Sequence, residues 1–186
     1  MTHDDKPAEA GCEHAHAPRE FTHVQELIDN LPYLLMGLLG GAVLLAGLGF
    51  SPRGWLAAGL YGGYCLAGAL WIVRFVCPYC HFYGSRACPC GYGQLAARLT
   101  PPAPAHNFAG QFRKHIPVIV PLWLIPPAAG LWFLRTNHSP WLPALLLVFA
   151  VDAFVLLPLV ARLYGCGHCL QKADCPWMFK GNNERV

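Results

Sequence analysis

Residues 31–76, LPYLLMGLLGGAVLLAGLGFSPRGWLAAGLYGGYCLAGALWIVRFV, hold no acidic side chain and only two basic ones, Arg53 and Arg74. Two apolar runs, 31–50 and 54–76, flank the short break Ser51-Pro52-Arg53. A helix rising about 1.5 Å per residue crosses a hydrocarbon core of about 30 Å in roughly 20 residues, so each run is long enough to span. A three-residue link turns the second run back against the first.

The same pattern recurs downstream. Residues 116–134 (IPVIVPLWLIPPAAGLWFL) and 141–164 (WLPALLLVFAVDAFVLLPLVARLY) are again apolar, separated by a short polar connection. Charged residues make up 12% of the 186-residue chain and the mean hydropathy is +0.36. Soluble domains carry about 25% charged residues, so this balance points to a membrane protein. The net charge of +3 is too small to argue for nucleic acid as a partner. The expected fold is an all-α integral membrane protein. Its four transmembrane helices form a bundle of two tandem hairpins, each followed by a cytoplasmic Cys-rich metal-binding loop.

The segments divide accordingly. Residues 1–18 form a mobile polar tail, whose Cys12, His14 and His16 read as solvated. Residues 19–30 place Phe21, Val24, Leu27 and Ile28 at helical spacing, the pattern of an amphipathic helix on the membrane surface. Hairpin 1 covers 31–76, a Cys-rich loop 77–115, hairpin 2 116–164, and a Cys-rich C-terminal segment 165–186. Gly37 with Gly41, and Gly59 with Gly63, are small-residue pairs that would let the helices of hairpin 1 approach closely.

Basic residues set the expected orientation. Lys6, Arg19, Arg74, Arg86, Arg98, Arg113, Lys114, Arg162, Lys172, Lys180 and Arg185 fall on one side, against Arg53 and Arg135 on the other. Cytoplasmic loops are the ones enriched in Lys and Arg, which places both termini and both Cys-rich segments in the cytoplasm, in a prokaryotic inner membrane.

Seven of the nine cysteines then lie in those two segments. Cys77-Pro-Tyr-Cys80 is followed, after seven residues, by Cys88-Pro89 and then Cys90. Cys166-Gly-His-Cys169 is followed, after five, by Cys175-Pro176. Two C-x2-C units, each placed after the second helix of a hairpin, read as one repeated ligand element. Cytoplasmic thiols are kept reduced, which argues against disulfides. Crowded thiolates repel and oxidise unless a metal holds them. The expected ligands are Cys77, Cys80, Cys88, Cys90, Cys166, Cys169 and Cys175, with His81 and His168 as nitrogen donors. Cys65, inside the second span, reads as a small apolar residue.

Thiolates suit an iron–sulfur cluster or, alternatively, zinc. The Cys-Pro endings are similar to the end of a bacterial cluster-binding run, and a cluster at a membrane surface can exchange electrons with a quinone. The expected role is an electron-transfer or anchor subunit that links a cytoplasmic oxidoreductase complex to the membrane. A zinc-stabilised membrane scaffold or assembly factor is the alternative. Cys77-Pro-Tyr-Cys80-His81 also matches the attachment motif of c-type haem, which is installed outside the cytoplasm. Four helices with C-x2-C pairs resemble the quinone-linked disulfide-generating enzymes of the vitamin K epoxide reductase type. That resemblance implies a thiol–disulfide oxidoreductase, although that family works on the non-cytoplasmic face.

Three ionisable residues stand inside or at the ends of the spans. Asp152 lies mid-way along the fourth, where a carboxyl marks a proton, ion or ligand site or else bonds a neighbouring helix. Arg74 and Arg162 stand at matched positions before the two cysteine units, placed either to snorkel or to offset thiolate charge. Pro126-Pro127 must interrupt backbone bonding in the third span.

Overall fold

The computed structural model describes residues 20–136 and 139–165. The described residues are helical, with no strand among them, and contain four helices long and apolar enough to cross a membrane. These span His23–Leu48, Pro52–Tyr79, Ala105–Thr136 and Leu142–Leu163, of 26, 28, 32 and 22 residues. Large apolar side chains face outward along them, among them Leu38, Leu60, Leu66, Leu147 and Phe154, as lipid contact requires.

Helix α1 (His23–Leu48) begins with a capping box. Gln25 N–H donates to Thr22 Oγ1 at 3.4 Å, and the Thr22 N–H donates to Gln25 Oε1 at 3.0 Å. The helix then continues through Pro32 without a break. The amphipathic stretch expected as a separate surface helix is therefore the opening of the first span itself. A proline forfeits one backbone bond and crowds one turn, a loss that packing on both sides of Pro32 outweighs here. Pro32 is buried, and so is Asp29 before it.

Helix α2 (Pro52–Phe75) is capped by Ser51, whose Oγ accepts from the Gly54 N–H at 3.3 Å. It packs along α1 with Gly37 facing Cys65, Gly40 facing Tyr61 and Gly41 facing Ala58. Gly59 and Gly63, the expected partners of Gly37 and Gly41, face away from α1 and have nothing within 4 Å of a Cβ built on them. The reason is helical phase. Tyr61 and Cys65, four apart, occupy the buried stripe, and Gly59 and Gly63 fall outside it. Alanine at Gly63 is expected to be neutral, or stabilising by up to about 1 kcal/mol through helix propensity. Alanine at Gly40 would place its Cβ 2.3 Å from the Tyr61 ring. That ring is tethered, because Tyr61 donates its hydroxyl to the Leu122 carbonyl at 2.9 Å. Gly40→Ala is therefore expected to cost about 1–3 kcal/mol, readable as a lower detergent-melting midpoint.

Helix α3 (Tyr92–Leu99) is short and lies between the second and third spans, and the short helix α4 (Phe108–His115) lies in the opening part of the third. Helix α5 (Pro121–Thr136) carries Pro126 and Pro127 in its interior. Pro126 offers no N–H to the Leu122 carbonyl, which the Tyr61 hydroxyl takes instead. Tyr64 likewise donates to the Val118 carbonyl. The two tyrosines of α2 thus serve carbonyls of the proline-rich third span. Helix α6 (Leu142–Val151) leads into a π-helical turn, Asp152–Leu156, then α7 (Leu157–Val160) and a second π-turn, Ala161–Gly165. Helix α1 packs against α2, α5 and α6, and the core they share includes Met36, Leu44, Tyr61, Leu122, Phe149, Ala153 and Leu157.

Candidate thiol site

The loop after α2 folds through short-range backbone bonds. Cys77–Tyr79 forms a 3-10 turn closed by Cys80 N–H on the Cys77 carbonyl at 3.0 Å. Tyr83 N–H then bonds the Cys80 carbonyl, and Gly84 N–H bonds the Gly93 carbonyl, each at 3.0 Å. Gly84 and Gly91 have φ of 71° and 73°, a left-handed conformation in which glycine carries no Cβ penalty. Gly91 caps α3 in that conformation and sets the three N–H groups of Cys90, Tyr92 and Gly93 around the Cys88 sulfur.

Cys88 is buried, and its sulfur lies 3.6 Å from that of Cys90. Cys77, Cys80, Cys88 and Cys90 are all free thiols. The Cys88 thiol is held down at about 7, first by the Cys90 hydrogen bond and then by the backbone N–H groups. Cys90 is pushed the other way, because a proton it donates to Cys88 is hard to lose and a second charge would sit beside the first. Within the pair, the Cys88 thiol therefore ionises more readily than the Cys90 thiol.

The opening turns of α1 dock on this loop. Phe21 N–H bonds the Arg86 carbonyl at 3.0 Å, and Asn30 Nδ2 donates to the Cys90 carbonyl at 3.1 Å. The Glu26 carboxylate approaches Gly91 so closely that a Cβ there would stand 3.5 Å from its carbon. His23 links Glu26 at 3.1 Å to Arg86 at 3.4 Å. Behind these contacts Asp29 is 7% exposed, and its Oδ1 has no hydrogen-bond partner. The Tyr92 phenol is pushed up to about 12, first by burial and then by negative charge at Cys90, Cys77, Cys88 and Asp29.

The remaining sequence candidates are placed as follows. His81 is exposed in the turn after Cys80. Arg74, in the last turn of α2, lies over the Phe75 ring at 5.9 Å from its centroid. Arg162 is exposed in the final π-turn. Asp152 is buried at the start of the other π-turn, with neither carboxylate oxygen hydrogen-bonded. The tail positions Cys12, His14 and His16 and the second unit, Cys166, His168, Cys169 and Cys175, lie outside the described residues.

Among the described residues, no three His, Cys, Asp or Glu side chains are gathered so as to hold one metal ion. What the loop brings together is the Cys88–Cys90 pair, with Cys77 and Tyr92 in electrostatic reach. Asp29, Asn30 and Tyr92 were not legible as site residues. Their sequence signal is slight: two polar side chains within one turn of Pro32, in the opening of the first span. Comparison with protein-family models, curated proteins and solved structures yields no match.

Proposed function

We propose that this chain is a membrane-anchored thiolate-metal protein, and that its metal is an iron–sulfur cluster. It would act as an electron-transfer or anchor subunit joining a cytoplasmic oxidoreductase complex to the quinone pool. The observation that carries the reading is the 3.6 Å separation of the Cys88 and Cys90 sulfurs. Two thiolates sharing one tetrahedral metal at about 2.3 Å stand about 3.8 Å apart, so this pair already has the spacing of neighbouring ligands. Cys77 and Cys80, with His81 beside them, are the next donors in the same loop. Cys166, Cys169, Cys175 and His168 supply a second set, if the two hairpins repeat in tandem with both units at the cytoplasmic face. The basic-residue bias supports that orientation, and the outward apolar side chains support the lipid environment.

The depressed Cys88 thiol favours a second reading, a quinone-linked thiol–disulfide oxidoreductase. There Cys88 and Cys90 would give up two electrons and two protons to a quinone, forming one disulfide and one quinol. A zinc-stabilised scaffold is the third reading. Iron, zinc and acid-labile sulfide measured on anaerobically purified protein separate them. Iron with sulfide and a visible chromophore is the expected result, with both lowered in Cys77→Ser and Cys166→Ser. Zinc without colour would point to the scaffold. Protein free of metal, with a Cys88–Cys90 disulfide formed on adding a quinone, would establish the thiol reading.

A further inference from the structure

Between Asn30 and Asp152 the chain holds seven arginines and lysines and no aspartate or glutamate. Counter-ions for those cations must come from a distant segment or from outside the protein. Three of them, Arg74, Arg113 and Lys114, are exposed and flank one junction. There Trp71 Nε1–H donates to His115 Nδ1 at 3.2 Å, and the Phe75 and His115 rings stack at 5.1 Å with 18° between their planes. These contacts join the end of α2 to the last turn of α4, which carries Arg113, Lys114 and His115. The Arg74 guanidinium carbon lies 5.9 Å from the centroid of the same Phe75 ring. None of the three cations forms an ion pair among the described residues. Because Nδ1 accepts from Trp71, neutral His115 carries its proton on Nε2, a further donor.

Depth places this junction among headgroups. At about 1.5 Å per residue, α2 rises about 32 Å from Arg53 to Arg74, slightly more than a hydrocarbon core of roughly 30 Å. Leu70 and Leu66, one and two turns before Arg74 on the same helical stripe, are both exposed. An acyl chain laid along that stripe brings its phosphate to Arg74. We propose that the junction binds the headgroup of an anionic phospholipid, with Arg74, Arg113 and Lys114 supplying the charge and Leu66 and Leu70 the apolar track. Basic pockets between membrane helices hold acidic headgroups in this way. The Trp71–His115 bond keeps α4 beside α2, so that cations from two spans serve one lipid. The site is independent of the chemistry of the cysteine loop.

The test is binding of dioleoylphosphatidylglycerol and dioleoylphosphatidylcholine to the delipidated full chain in detergent, read by native mass spectrometry. Phosphatidylglycerol is expected to bind more tightly. Each cation near an acidic headgroup is worth about fivefold in affinity, so Arg74→Gln and Lys114→Gln should each weaken phosphatidylglycerol by about that factor, and the double variant by about 25-fold. Phosphatidylcholine binding should not change. Arg74→Lys keeps the charge and should keep the affinity, which separates a lost cation from a misfolded helix. Arg98→Gln, which removes the same charge outside the junction, should bind as wild type. Equal affinity for the two lipids, an equal loss in Arg98→Gln, or Arg74→Lys as weak as Arg74→Gln overturns the site. Tight phosphatidylglycerol binding that appears only after Asp174→Asn and Glu184→Gln would place the chain's own carboxylates on this surface, and overturns it too.

Discussion

Gly93→Ala is expected to unfold the cysteine loop while leaving the membrane helices in place. A Cβ at residue 93 would lie 2.3 Å from the Phe82 carbonyl oxygen and 3.1 Å from the Cys88 Cβ. The first obstacle is backbone and cannot rotate aside. Moving it strains the turn in which Ser85 N–H and Ser85 Oγ both bond the same carbonyl, at 3.1 and 3.0 Å. Moving Gly93 instead breaks its own carbonyl's bond from Gly84. Overpacking of this kind costs about 3 kcal/mol, more than a short loop can absorb. Metal content and the Cys88 titration should both be lost, with helical circular dichroism close to wild type. Normal metal content in Gly93→Ala would show that the loop is not held as described.

The Cys88 thiol should titrate alone and early. In metal-free protein, the ultraviolet absorbance of thiolate should rise by one group with a midpoint at about pH 7, below the usual thiol value of about 8.5. The sign follows from what stabilises the charge. Hydrogen bonds from Cys90 and from the start of α3 favour the thiolate, so ionisation comes at lower pH and is complete above the midpoint. Cys88→Ser should abolish the step. Cys90→Ala removes the largest of these contributions and should raise the midpoint by roughly one unit or more. A midpoint that ignores Cys90→Ala would mean that the two sulfurs do not share a proton.

The membrane character was legible because it is a property of composition along the chain. Twenty apolar residues in a row exclude water whatever they pack against, so the runs 31–50, 54–76, 116–134 and 141–164 could be drawn from the letters alone. Each coincides with a helix in the structure. Helix pairing was less legible. A glycine spacing of four marks a face, but not which of several faces is turned inward, and Gly59 and Gly63 proved to lie on the outer one. The boundary at residue 31 also differed, since Pro32 forfeits one bond while the remainder of α1 continues around it.

The cysteine site divides along the same line. Spacing alone singled out Cys77, Cys80, Cys88 and Cys90 as a thiol-bearing loop, because C-x2-C and C-x-C are local patterns that the chain carries in any fold. Their inequality is tertiary. Cys88 differs from Cys90 because the Cys90 side chain hydrogen-bonds its sulfur and because the backbone N–H groups of Gly93, Cys90 and Tyr92 favour its charge, whereas only that of Tyr92 favours charge on Cys90. Asn30 lies 60 positions from Cys90 along the chain. It reaches the Cys90 carbonyl only because α1 runs unbroken through Pro32 and lays its first turns against the loop. The membrane spans of this protein are thus written in the sequence as water-excluding runs. The chemistry at their end depends on which polar groups the packed helices leave without water, and only the assembled structure decides that.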